Sequence, residues 1–173
     1  MGRFVKKMTK ETYIQITEPL RQNKKLAKCI QLINRILTAV VFFAYPSLLL
    51  WLYLKRPNAL VQALTVPFNS FVILTAFRYA VNAKRPYEVF DIPPVIPKDT
   101  KGKSFPSRHV FSVFLIAMTY LFLCPAVWIG ILLLTAGVLL AIVRVWSGVH
   151  FPRDVIAGAV FGMVSGWIGF VLL

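Results

Sequence analysis

Five long apolar runs, at about 30–54, 59–77, 110–124, 127–145 and 155–173, decide what this chain can fold into. Each is closed off by charge, proline or glycine. With 58% hydrophobic and only 15% charged residues, a water-soluble domain of this size would be left with apolar surface that its polar groups cannot cover. A bilayer is the solvent that fits. Its hydrocarbon core of about 30 Å takes roughly 20 apolar residues per helix, and inside it only helices or closed barrels satisfy their own backbone. The expected fold is all-α: a polytopic transmembrane bundle of about five spanning helices over residues 29–173, with an N-terminal interfacial helix in the basic segment 1–28.

That basic segment mixes Lys and Arg with Phe4, Val5, Met8, Tyr13, Ile14, Ile16 and Leu20. Two readings fit it: a helix lying on lipid headgroups, or a basic tail with little order. The first apolar run begins near Ile30, after a long polar stretch, which does not match a cleavable leader and predicts that the first span is retained. The net charge of +14 is concentrated in 1–28 and 78–108, beside the apolar runs. It therefore points to a membrane interface, and no nucleic-acid-binding motif accompanies it. Cys29 and Cys124 have no CxxC partner and no metal-type histidine nearby, so neither a disulfide framework nor a zinc site is expected.

The connections differ in kind. Lys55-Arg56-Pro57-Asn58 and Cys124-Pro125 are too short to carry a site. The 78–108 segment, with Pro86, Pro93, Pro94, Pro97 and Pro106, and the 144–154 segment, with Gly148 and Pro152, are not. Alternating crossings place both on one face, together with Met1. Lys55 and Arg56 are the only basic loop residues on the other face, so the lysine and arginine bias predicts a cytoplasmic site in a multi-pass cell-membrane protein.

Three clusters fall at span ends on that shared face: Arg78-x6-Arg85-Pro86, Pro106-Ser107-Arg108-His109, and Arg144-x5-His150-x3-Asp154. Taken singly, each arginine reads as an interfacial anchor. Together they hold what phosphoryl transfer needs. Arg78, Arg85 and Arg144 offer permanently charged planar forks that match phosphate oxygens. Ser107 and Arg108 stand where a helix should begin after Pro106, so that hydroxyl, guanidinium and backbone N–H groups meet one anion. His109 suits a proton donor to a departing oxygen. His150, four residues before Asp154, suits a nucleophile whose second ring nitrogen is held by a carboxylate. Asp154 also reads as a helix cap, and the two roles are compatible.

The order and spacing of these clusters resemble the signature of the type 2 phosphatidic acid phosphatase superfamily, which includes vanadium haloperoxidases and bacterial lipid phosphatases. Its pattern is Lys-x6-Arg-Pro, Pro-Ser-Gly-His, Ser-Arg-x5-His-x3-Asp. The resemblance implies an all-helical membrane core and chemistry without metal or other cofactor. It implies His150 as nucleophile through a phosphohistidine, Asp154 as its partner and His109 as general acid. Arg78, Arg85, Ser107 and Arg144 are implied as phosphate ligands; Arg108, which stands where the family has glycine, joins them as a candidate by its position alone. Substrates of the undecaprenyl diphosphate, phosphatidylglycerol phosphate or phosphatidate class follow, with membrane lipids as surroundings.

The chain departs from the pattern at Arg78 for lysine, Arg108 for glycine and Val143 for serine, and has five apolar runs where the common bacterial member has six spans. Arg108 either adds a phosphate donor or crowds a backbone approach that glycine permits. Residues 85–104 are expected to form part of the headgroup pocket. Gly158, Gly162 and Gly166 line one helix face, either seating the Asp154 end of the last span or forming a homodimer contact. Two other functions fit less well: a vanadate-dependent haloperoxidase, against which the apolar spans argue, and a silent lipid-phosphate binding or transport protein, against which the His109, His150 and Asp154 set argues.

Overall fold

The apolar runs become helices, and the first two extend past their runs on both sides, because helical hydrogen bonding carries on into the interface until a turn residue stops it. In a computed structural model that describes residues 8–172, these are α1 Lys10–Gln22, α2 Lys24–Lys55, α3 Pro57–Val81, α4 Pro86–Phe90, α5 Arg108–Leu123, α6 Val127–Trp146 and α7 Pro152–Val171, with no strand among the described residues. The first seven positions of the basic segment and position 173 of the last run lie outside the described residues.

Helices α2, α3, α6 and α7 are long and apolar enough to cross a bilayer. The expected third span is different. Helix α5 has 16 residues, about 24 Å at 1.5 Å per residue, and most of its side chains are buried against its neighbours. It packs against α6 and α7 and also touches α2 and α3. Val113, Ala117, Tyr120 and Leu123 of α5 join Val41, Leu48 and Leu52 of α2, Ala63 of α3 and Leu133 and Leu140 of α6 in the main core. Polar side chains buried in the bundle close their hydrogen bonds on neighbouring backbones: Tyr120 donates to Ala44 O at 2.7 Å and Tyr45 to Ala63 O at 2.8 Å. In lipid an unmade bond of this kind has no water to replace it.

The glycine face of α7 is filled from within the chain. A Cβ at Gly158 would stand 2.6 Å from Ser107 O, and one at Gly162 would stand 2.6 Å from Phe111 O. Bare glycines thus let α7 and α5 touch backbone to backbone. Ser107 N donates to Asp154 O at 2.8 Å, tying the two helix starts together.

The basic segment divides at Asn23, whose side chain accepts from Lys25 N and Leu26 N and starts α2 six residues before the apolar run begins. Helix α1 lies against the protein through Tyr13, Thr17 and Leu20, all buried. Tyr13 donates to Ile92 O and Gly148 O at 3.3 Å each, and Arg21 donates to Pro93 O. So α1 braces the two long connections expected to share a face. At the other end Arg56 donates to Leu123 O at 3.2 Å, joining the two short turns.

Candidate active site

The end of α3, the starts of α4 and α5, the loop before α5 and the turn between α6 and α7 meet around a cavity of about 160 Å³. Of the sequence-predicted residues, Arg78, Arg85, Arg108, His109 and His150 line it. Ser107, Arg144 and Asp154 are buried but do not form its wall. Among the described residues Lys98, Lys103, Thr75, Tyr79 and Thr100 complete the lining, and none of them contributes a carboxylate to it.

Local structure explains where His150 sits. Helix α6 ends in a turn in which Arg144 O accepts from both Val149 N at 3.1 Å and His150 N at 3.2 Å. Gly148 adopts φ 75° there, a left-handed conformation that glycine enters without penalty. Pro152 then opens α7 with its fixed φ, and Asp154 Oδ2 caps the helix by accepting from Phe151 N at 3.1 Å. The capping reading of Asp154 is met, and the same oxygen stands 3.5 Å from His150 Nδ1.

That separation is long for a direct N–H···O bond, and a third residue fills the gap. Ser104 Oγ donates to Asp154 Oδ2 at 2.5 Å and lies 3.4 Å from His150 Nδ1. The opposite ring nitrogen, Nε2, is 3.4 Å from Arg85 Nη1. His150 is 3% exposed, and burial above all pushes its pKa down to about 4; Asp154 opposes the shift while Arg85 and Arg144 add to it. At neutral pH the imidazole carries no charge, the state a nucleophile needs.

The cations hold the loop as well as the cavity. Arg78 donates to Pro106 O and Lys103 O, and Arg85 Nε donates to Gly102 O at 3.0 Å. Glu88 lies outside the lining, and its Oε2 accepts from Arg85 N and Gly102 N at 2.9 and 2.8 Å. Ser104 N donates to Ala83 O at 2.8 Å. Two of the phosphate ligands expected from sequence have spare capacity, since Ser107 Oγ and Arg144 Nε are buried with no hydrogen-bond partner. An anion beside them would satisfy donors that are otherwise costly to bury. Arg108 is exposed, its guanidinium 5.7 Å from the Phe71 ring centre, so the bulk that replaces glycine turns outward and its charge stays on the lining.

Sequence reasoning missed Ser104, Lys98 and Lys103 as individual residues, although the 85–104 segment was expected at the pocket. Ser104 lies two residues before Pro106, beside the second cluster, and that proximity was its only signal. Lys98 lay hidden among prolines and other basic residues.

Comparison with known proteins gives a consistent answer. The family model described as the PAP2 superfamily matches residues 59–173. The undecaprenyl-diphosphatase of Sulfolobus acidocaldarius is 32% identical over 127 residues, which are 73% of this chain and 60% of that protein. Undecaprenyl-diphosphatase BcrC of Bacillus subtilis is 28% identical over 139 residues, covering 76% of this chain and 68% of its own length. Among solved structures, the crystal structure of Aquifex aeolicus LpxE shares the fold with a TM-score of 0.71 at 24% identity, over 98% of both chains.

Proposed function

Because the chain belongs to the PAP2 superfamily, we propose that it is a multi-pass membrane hydrolase that removes phosphate from a lipid phosphate or diphosphate through a phosphohistidine at His150. The observation that carries this reading is the placement of His150. Its Nδ1 is backed by Ser104 and Asp154, and its Nε2 lies 3.4 Å from Arg85 in a cavity walled by cations.

In the first step His150 Nε2 attacks phosphorus. The N–P bond forms as the P–O bond to the lipid breaks, and the leaving oxygen takes a proton from His109. Arg78, Arg85 and Arg144, with Ser107 Oγ and the first N–H groups of α5, hold the equatorial oxygens as charge moves across them. Asp154, through Ser104, steadies the positive charge of the phosphorylated imidazole. The substrate's own negative charge favours a protonated His109. In the second step water oxygen bonds to phosphorus and the N–P electron pair returns to Nε2. The water proton passes to His109 and orthophosphate leaves.

Fixed guanidinium groups here take the charge-neutralising part that a metal has in other phosphatases. The names of the relatives support polyprenyl diphosphates as one substrate class, beside the phosphatidylglycerol phosphate and phosphatidate classes. The Lys and Arg distribution supports a site on the cytoplasmic side.

The test is phosphate release in detergent with EDTA from a panel of lipid phosphates, alongside His150→Ala. Wild type is expected to turn over without metal and to be inhibited by vanadate, and the variant to be inactive. Loss of activity with chelator, or activity in the variant, overturns the mechanism.

A further inference from the structure

Resting on that reading of the site, we propose that Lys98 forms a second-phosphate subsite, which makes the cavity selective for lipid diphosphates over monophosphates. The first observation is charge. Among the described residues the lining presents five cationic side chains, Arg78, Arg85, Lys98, Lys103 and Arg108, and no acidic one, more positive charge than one phosphoryl group neutralises. Volume agrees with this: about 160 Å³ is roughly ten times what one buried water needs on the same measure, which leaves room for two linked phosphoryl groups.

The second observation is how these cations are engaged. Arg78 and Arg85 are bonded to loop carbonyls. Lys103 Nζ lies 3.6 Å from the Tyr79 ring centre, and Arg108 faces Phe71. Among the described residues Lys98 has no hydrogen-bond or ion-pair partner, although Arg78, Arg85, Arg108 and Arg144, from α3, the start of α4, α5 and α6, all act on it electrostatically. A half-buried ammonium surrounded by like charge is held there at a cost, which a bound anion would relieve. Burial first, and then those four arginines, lower its pKa to about 8, so at neutral pH it is still mostly charged.

The third observation gives Lys98 its place in the sequence of groups. His150 and Arg85 are each 3% exposed and form the deep end, where the attacked phosphorus must sit. Lys98 is only partly buried and Arg108 is exposed, so they stand toward the mouth. A lipid diphosphate entering with its terminal phosphoryl group at His150 puts its other phosphate at that level, between the reacting group and the lipid. During attack the bridging P–O bond breaks and this inner phosphate leaves as lipid monophosphate, protonated by His109. An ammonium beside it would offset the charge that it gains.

The experiment compares kcat/KM for a polyprenyl diphosphate and the matching monophosphate in wild type, Lys98→Gln and Lys98→Arg. The diphosphate-to-monophosphate ratio is expected to fall about tenfold in Lys98→Gln, the scale of one charge-assisted contact, and to recover in Lys98→Arg. An unchanged ratio overturns the subsite. A second arm needs no turnover: binding of methylenediphosphonate and of inorganic phosphate to His150→Ala, with and without Lys98→Gln. Adding Lys98→Gln should weaken the diphosphonate about tenfold more than phosphate, and equal weakening overturns the proposal. Failure of the phosphohistidine reading would show instead as turnover by His150→Ala, leaving the binding arm to decide on Lys98.

Discussion

Ser104 Oγ and Asp154 Oδ2 stand 2.5 Å apart at the base of the site, with the hydroxyl donating to the carboxylate. Both residues are fully buried. The other carboxylate oxygen, Oδ1, has Arg153 Nε at 3.5 Å but makes no hydrogen bond. The hydroxyl thus donates, together with Phe151 N, to the carboxylate oxygen that faces His150.

Removing it should loosen the nucleophile rather than the substrate. A hydrogen bond to a buried charged group is worth about 1.5–3 kcal/mol, so Ser104→Ala is expected to lower kcat by roughly ten- to a hundredfold with a smaller change in KM. Ser104→Thr, which keeps the hydroxyl, should recover much of the loss. If Ser104→Ala raises KM alone, or if threonine fails to rescue a correctly folded protein, the positioning role is wrong.

His150 offers a direct titration, because the chain has only two histidines. Its folded pKa is depressed to about 4, so the imidazole is neutral above that pH and gains a proton only below it. In imidazole-labelled protein followed by NMR, one histidine should titrate near pH 4 and vanish from the His150→Ala spectrum. Arg85 lowers this pKa and Asp154 raises it, so Arg85→Gln should move the midpoint up and Asp154→Asn should move it further down. A His150 midpoint near the ordinary 6.5 would remove the basis for a buried, uncharged nucleophile.

The sequence made some of this legible and hid the rest, for physical reasons. The long helices could be read because lipid demands an unbroken apolar run, and Arg78, Arg85, His109, His150 and Asp154 because fixed spacing at span ends is a strong pattern. Helix α5 could not be told from a lipid-facing span by composition, since the core of a bundle and a bilayer select the same side chains. Its short length and its glycine-lined neighbour were the available hints. Helix α2 begins before its apolar run, at Lys24, because helical hydrogen bonding runs on through the interface past Lys24, Lys25 and Lys28, which carry no apolar signal. Ser104 and Lys98 escaped because their roles come from a loop folding back on itself, which no periodicity encodes.

Orientation is open to a labelling test. The face that carries α1 and the 82–107 connection is the one rich in Lys and Arg, which predicts that it lies in the cytoplasm. In protein freed of Cys29 and Cys124, a Lys101→Cys reporter, exposed in the structure, should resist a membrane-impermeant thiol reagent in intact cells and react after lysis. Labelling in intact cells would place the site on the outer side.

Contact between α5 and α7 should couple packing to catalysis unevenly along its length. A Cβ at Gly158 would meet Ser107 O at 2.6 Å, beside the residues proposed to hold the substrate, whereas one at Gly162 would meet Phe111 O at 2.6 Å, one helical turn further from the site. Both atoms belong to backbone, which cannot rotate aside, so each alanine substitution should destabilise by about 1–3 kcal/mol, the usual scale for overpacking. The effects on activity should differ. Gly158→Ala displaces the start of α5, with Ser107 and His109, and is expected to lower kcat well below the melting temperature. Gly162→Ala should lower the melting temperature by a similar amount while keeping more of the activity. Thermal unfolding in detergent, paired with kcat at a temperature where both variants are folded, separates the two. Activity loss that simply follows the melting temperature in both would mean that the helix contact supports the fold without positioning the site.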